Sequence, residues 1–185
     1  TAELVGGVIG ATEVGFVFDH TFNKNAGATG RTPWHNDFPG LPTRGEQLPT
    51  VWMPLTPITR DSSLECIQGS HAFETLYWPN TANGHKIDAP PGRPFCPDFE
   101  TRRDDPDLTF LWWEMEPGDA LVIHPRTLHY SCGNRSKTQR RVALTTRWYG
   151  DDIVWDPRPE CEAGPPEAPF MEQTPGTRPG PPAYP

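Results

Sequence analysis

Apolar and polar residues alternate along most of the chain with a period of two rather than 3.6, the signature of strands with one buried face. Between Glu13 and Lys24, Val14, Phe16, Phe18 and Phe22 share one face while Gly15, Asp19 and Thr21 take the other. Further strands are predicted at 50–58 (TVWMPLTPI), 63–68 (SLECIQ), 108–115 (LTFLWWEM), 119–124 (DALVIH), 127–132 (TLHYSC) and 139–149 (QRRVALTTRWY). Only residues 3–9 (ELVGGVI) read as a short helix. Reversals fall at Glu116-Pro117-Gly118-Asp119 and Cys132-Gly133-Asn134, where Pro, Gly and Asn supply turn geometry. Residues 79–106 lack periodicity and predict a long surface excursion of the kind that often forms a lid or binding loop. The ten prolines of residues 156–185 predict an extended tail, packed along the domain or a neighbour or else disordered, after a domain that occupies 1–155. Short alternating strands joined by turns point to an antiparallel sandwich or jelly roll, whose sites lie in the barrel mouth.

Composition narrows the partners. The 185 residues suit one domain, and 16 Lys plus Arg against 24 Asp plus Glu give a net charge of -8. That balance argues against binding nucleic acid through its phosphates. No stretch approaches the roughly 20 apolar residues of a membrane-spanning helix, so a soluble protein with no membrane partner is expected. Cys66, Cys96, Cys132 and Cys161 are far apart, which predicts free thiols and a cytoplasmic location. The start at Thr1 carries neither Met nor a signal-peptide pattern and predicts processing or truncation.

The sharpest chemical feature is His35-x-Asp37, because alternate residues of an extended segment share a face and can reach one ion together. A third ligand must come from elsewhere: His129 in TLHYSC is the leading candidate and His124 its competitor. Two histidines and a carboxylate form the facial triad of non-haem Fe(II) oxygenases, which leaves three coordination positions open. Taken alone, H-x-D is a weak signal and more often a polar surface turn. Downstream, Ser131, Asn134 and Arg140 follow His129, and alternation sets Arg140, Val142, Leu144, Thr146 and Trp148 against Arg141, Ala143, Thr145 and Arg147. The first set is the more apolar and is expected to point inward, and an inward arginine needs an anion such as a dicarboxylate. His71 reads as a turn residue, His20 as a core or rim histidine, and Lys24 as a residue in phase to meet co-substrate or substrate. One of Trp112 and Trp113 must face an outer layer, and Arg102, Arg103, Asp104 and Asp105 read as a solvated loop.

The runs TPWHNDFPG, LECIQGSH, PGDALVIHPRTLHYS and RRVALTTRWY, in that order, resemble the phytanoyl-CoA dioxygenase family of Fe(II)- and 2-oxoglutarate-dependent oxygenases over residues 3–155. The resemblance implies a double-stranded β-helix, a cupin-like jelly roll with minor helical elements, lacking the N-terminal part that family members usually carry. It implies that His35, Asp37 and His129 hold Fe(II), that Arg140 and Ser131 bind the distal carboxylate of 2-oxoglutarate, and that Trp52 lies beside the co-substrate. Asn36 stands where the family usually has Gln, between the ligands. The activity implied is hydroxylation of an unactivated C–H bond in a small organic or acyl substrate with O2 as co-substrate and succinate as co-product. A halogenase would need a small residue in place of Asp37, and the alternative from another class is a catalytically silent jelly-roll binding module. The remaining expectation on partners is a homo-oligomer formed through the C-terminal tail.

Overall fold

The computed structural model describes residues 1–82, 85, 86, 88–158, 161 and 174–179. The first element is helix α1 (Ala2–Ile9), which buries Val5 and stops at Gly10, a left-handed residue with φ 68° that lets the Gly10 backbone cap the last turn. None of the described helices is long and apolar enough to cross a membrane.

Twelve strands then follow among the described residues: β1 (Gly15–Lys24), β2 (Thr32–His35), β3 (Thr43–Arg44), β4 (Thr50–Pro54), β5 (Leu64–Ile67), β6 (Thr81–Ala82), β7 (His85–Lys86), β8 (Phe110–Trp112), β9 (Leu121–Ile123), β10 (His129–Ser131), β11 (Arg141–Tyr149) and β12 (Val154–Trp155). They build two four-stranded antiparallel sheets, β1-β11-β4-β9 and β2-β10-β5-β8, with β12-β3 and β6-β7 as small pairs. This is the jelly roll that alternation predicts, each sheet offering one face to the interior.

Three apolar clusters hold it. Trp52, Ile58, Leu64, Cys66, Met115, Ile123 and Ala143 join the inner faces of the two sheets. On the far face of the second sheet lie Trp34, Ile67, Leu128 and Tyr130, covered by Cys96 and Phe99. Residues 79–106 are therefore more than a surface excursion, since they contribute buried side chains to that layer. Their base is closed by Trp78 N–H donating to Pro94 O and Cys96 N–H donating to Trp78 O, both at 2.8 Å. The third cluster, Val17, Leu48, Tyr149, Ile153 and Trp155, closes one end. Gly15 is required there, because a Cβ on it would fall 2.0 Å from the Tyr149 ring.

The described part of the tail lies against the domain. Trp155 and residues 176–177 exchange backbone hydrogen bonds of 2.8 and 2.7 Å, and Tyr149 Oη donates to Pro179 O. Residues 159, 160, 162–173 and 180–185, on which most of the expected tail falls, lie outside the described residues.

Candidate active site

Strand pairing brings the candidate ligands together. In the β2–β10 pair His35 stands directly opposite His129, and both side chains take the inner face while Trp34 and Tyr130 take the outer one. Beyond β2 the chain turns at Asp37, held by its N–H donating to Pro125 O at 3.0 Å. His35, Asp37 and His129 each offer one ligand atom, and these lie within 4.8 Å of one another. Asp37 Oδ1 is 3.5 Å from His35 Nε2 and 3.8 Å from His129 Nε2. Each ring is oriented from behind, His35 Nδ1 by Pro33 O at 2.8 Å and His129 Nδ1 by Thr127 O at 3.0 Å. A carbonyl can only accept, so the proton sits on Nδ1 and the Nε2 lone pair is left for a cation, the arrangement that backing hydrogen bonds give metal-binding histidines.

Electrostatics favour the same state. Burial, with His129 alongside, lowers the His35 pKa to about 4, so the ring is a neutral donor at physiological pH. Burial alone would raise the Asp37 pKa, but Arg147 and the two histidines outweigh it and hold the carboxyl well below its ordinary range. The other carboxylate oxygen, Oδ2, accepts from Arg147 Nη2 at 2.7 Å and Thr50 Oγ1 at 3.1 Å. The donor set of two imidazole nitrogens and one carboxylate oxygen suits a divalent first-row metal.

The ligands open into a cavity of about 290 Å³ between the sheets. One side of it is cationic. Arg141, 3% exposed, donates from Nη1 to Ser131 Oγ at 2.6 Å and lies over the Trp52 ring, 5.3 Å from its centroid. Lys24 Nζ donates to Cys132 O at 2.7 Å, with Ser131 O and Oγ at 3.4 Å. Among the described residues neither cation has a carboxylate within ion-pair distance, and Arg141 Nε has no hydrogen-bond partner. Burial and the neighbouring Arg141 lower the Lys24 pKa to about 8. A buried guanidinium and a half-buried ammonium with no carboxylate partner among the described residues suit an anion. Asn134 fixes its geometry: its side-chain amide donates to Lys24 O, Asn25 O and Gln139 O, tying the end of β1 to the start of β11.

Arg140 is not at this site. It is exposed, and the inward set on β11 is Arg141, Ala143, Thr145 and Arg147, one step out of phase with the expectation. The register is set by Lys24 opposite Arg141 on one side and Trp52 opposite Thr145 on the other. The expectation put the apolar face inward, whereas here β11 turns Arg141, Thr145 and Arg147 toward the cavity and leaves Val142, Leu144 and Trp148 half-buried on the opposite face. Ser131 and Trp52 line the cavity with Arg141. Thr50 and Arg147, absent from the sequence-level candidates, are cross-strand partners converging on Asp37; the signal for Arg147 was a charge in phase with Arg141 inside an otherwise strand-forming run. His124 stands apart from the ligands, 3.2 Å from Glu46 Oε2 and beside the exposed His71. His20 lies between Phe18 and Phe22 on the cavity wall. Trp113 packs inward while Trp112 is exposed, and Arg103 leaves the presumed solvated loop to reach the buried Glu65 at 2.6 Å.

The sequence pattern described as "Phytanoyl-CoA dioxygenase (PhyH)" matches residues 1–142. No curated protein matches the chain by sequence. Among solved structures, the non-heme alpha ketoglutarate dependent carbocyclase SnoK from nogalamycin biosynthesis is 20% identical with a TM-score of 0.62, over 86% of this chain and 59% of that one. The corresponding epimerase SnoN, also 20% identical, gives 0.63 over 98% and 65%. EvdO2 from Micromonospora carbonacea var. aurantiaca, complexed with 2-oxoglutarate, is 23% identical and gives 0.62 over 86% and 62%. At such identities the likeness is one of fold, and the chain spans less than two thirds of the length of each of these proteins.

Proposed function

Because this chain belongs to the phytanoyl-CoA dioxygenase family, we propose that it is an Fe(II)- and 2-oxoglutarate-dependent oxygenase that hydroxylates a small, largely apolar molecule. The observation that carries this reading is the pairing of a His-Asp-His face with the buried Arg141, which has no carboxylate partner among the described residues. His35, Asp37 and His129 hold the metal through Nε2, Oδ1 and Nε2. Arg141, with Ser131 and Lys24 beside it, binds the distal carboxylate of 2-oxoglutarate, and Trp52 packs under the guanidinium. The span is suitable: Ser131 lies two residues beyond His129, about 7 Å along the strand, near the length of a five-carbon diacid. Iron and 2-oxoglutarate, when bound, supply an O2-derived oxidant while the oxo acid loses CO2 to give succinate.

The protein's own part is orientation and exclusion of water. Phe18, Phe22, Leu41, Trp78 and Ile123 give the cavity apolar walls, and its cations are those already assigned to the co-substrate and to Asp37. Such a lining suits a neutral substrate better than a polyphosphate-bearing thioester. Four free cysteines agree with a reducing, cytoplasmic setting.

Anaerobic Fe(II) followed by 2-oxoglutarate is expected to produce the visible charge-transfer band of the chelate, and air then to produce succinate. The band is expected to vanish in His35→Ala, Asp37→Ala and His129→Ala and to persist in His124→Ala and His71→Ala. A wild-type protein that binds neither iron nor the oxo acid would be a binding module instead.

A further inference from the structure

Asp37 is gripped on one side only. Its Oδ2 accepts from Arg147 Nη2 at 2.7 Å and from Thr50 Oγ1 at 3.1 Å, while Oδ1 faces both histidine Nε2 atoms. The two donors are a directly opposed cross-strand pair of β11 and β4, so one rung of the sheet delivers both. Arg147 is 8% exposed, its guanidinium packed 5.5 Å from the centroid of the Phe18 ring. With Oδ2 accepting from two donors, turning the carboxylate to present both oxygens to one ion would give up at least one of those bonds.

We infer that Arg147, with Thr50, is a positioning residue that restricts Asp37 to a single donor oxygen. The inference rests on the reading of His35, Asp37 and His129 as metal ligands. Carboxylates bind metals through one oxygen or two, and a second oxygen would fill one of the three positions that a facial triad keeps open. A chelating oxo acid needs two of those and O2 the third. Arg147 is a poor device for raising metal affinity, since its positive charge sits against the carboxylate that must hold a dication. Removing it leaves a buried carboxylate whose best remaining counter-charge is the metal itself.

The test uses Co(II), whose visible absorption responds to coordination number, with 2-oxoglutarate added to the Co(II)-loaded protein under nitrogen. Arg147→Met is expected to keep its Co(II) affinity or tighten it up to about tenfold, while the 2-oxoglutarate dissociation constant rises about tenfold or more. Thr50→Val, which keeps the guanidinium, is expected to move the second constant in the same direction by less, and guards against a misfolded Arg147 variant. Arg147→Lys restores part of the loss. Loss of Co(II) by Arg147→Met to the level of Asp37→Ala overturns the inference, because Arg147 then merely holds the ligand in place. Unchanged 2-oxoglutarate affinity in both variants overturns it as well. Retention of Co(II) by Asp37→Ala refutes the ligand reading beneath it and is a separate result.

Discussion

A buried guanidinium is costly unless an anion meets it, and among the described residues Arg141 meets the Ser131 hydroxyl and the Trp52 ring but no carboxylate. Filling the site with a carboxylate removes the cost, which is why this residue should dominate co-substrate affinity. Breaking a buried charge pair is worth roughly 3–5 kcal/mol, so Arg141→Met is expected to raise the 2-oxoglutarate dissociation constant by on the order of a hundredfold or more. Arg140→Met, at an exposed position, should stay within about 0.5 kcal/mol of wild type. Calorimetric titration of both variants with metal present checks this, and a large loss confined to Arg140→Met would contradict the structure. Lys24 adds a pH dependence. Its pKa is lowered from 10.5 to about 8 by burial and by Arg141, so between those values the folded chain binds fewer protons than the unfolded one, and this group makes stability rise with pH. Anion binding has the opposite sign because it needs the ammonium form. Affinity for 2-oxoglutarate is therefore expected to fall as pH rises through about 8, and in Lys24→Met to be weaker at pH 7 but lacking that decline. A wild-type profile flat from pH 7 to 9.5 counts against a carboxylate at Lys24.

At the scale of elements, the sheet that carries both histidines is stiffened from behind. Trp34 and Tyr130, adjacent in sequence to His35 and His129, stack with centroids 5.2 Å apart. Trp34 Nε1 donates to Glu100, Arg103 bridges Glu100 and the buried Glu65, and Arg60 completes the pairing on Glu65. Burial would raise the Glu65 pKa, yet the two arginines hold it below its ordinary value. Arg103 also lies 4.5 Å from the centroid of the Phe110 ring. Losing a charged hydrogen bond to a buried acceptor costs about 1.5–3 kcal/mol, and Arg103→Met is expected to lower unfolding stability by that amount in a denaturant titration. A change below about 0.5 kcal/mol would mean that Arg60 alone satisfies Glu65.

The strands of the two main sheets were legible because their residues alternate, whereas the two-residue strands β3, β6, β7 and β12 carry too few residues to show a period. His35 and Asp37 stood out as a pair two residues apart, although Asp37 lies in the turn beyond β2. What misled was the phase of β11. Hydrophobicity identifies the inner face of a strand when the inside is a core, but β11 lines a charged cavity at Arg141, Thr145 and Arg147 and leaves Val142 and Leu144 half-buried on its other side. The clamp from Thr50 and Arg147 onto Asp37 was hidden for a related reason: it depends on which residues of β4 and β11 stand opposite each other, and register is a property of two strands. The 79–106 segment, irregular in sequence, still buries Cys96 and Phe99, since an apolar layer needs a cover whether or not that cover has a period.

For the molecule as a whole, the two sheets have different duties. The β2-β10-β5-β8 sheet supplies both histidines and their rigid backing, and the β1-β11-β4-β9 sheet supplies the cations, Thr50 and Trp52. Asp37, just beyond β2, is where they meet, joined to the first sheet by Arg147 and Thr50. His35 and His129 sit opposite each other on neighbouring strands, and a slip of β10 by a single residue would carry His129 to the outer face and put Leu128 or Tyr130 in its place. An ion that bonded to both rings at once would therefore act as a gauge: only a chain whose strands had been threaded in step could capture it.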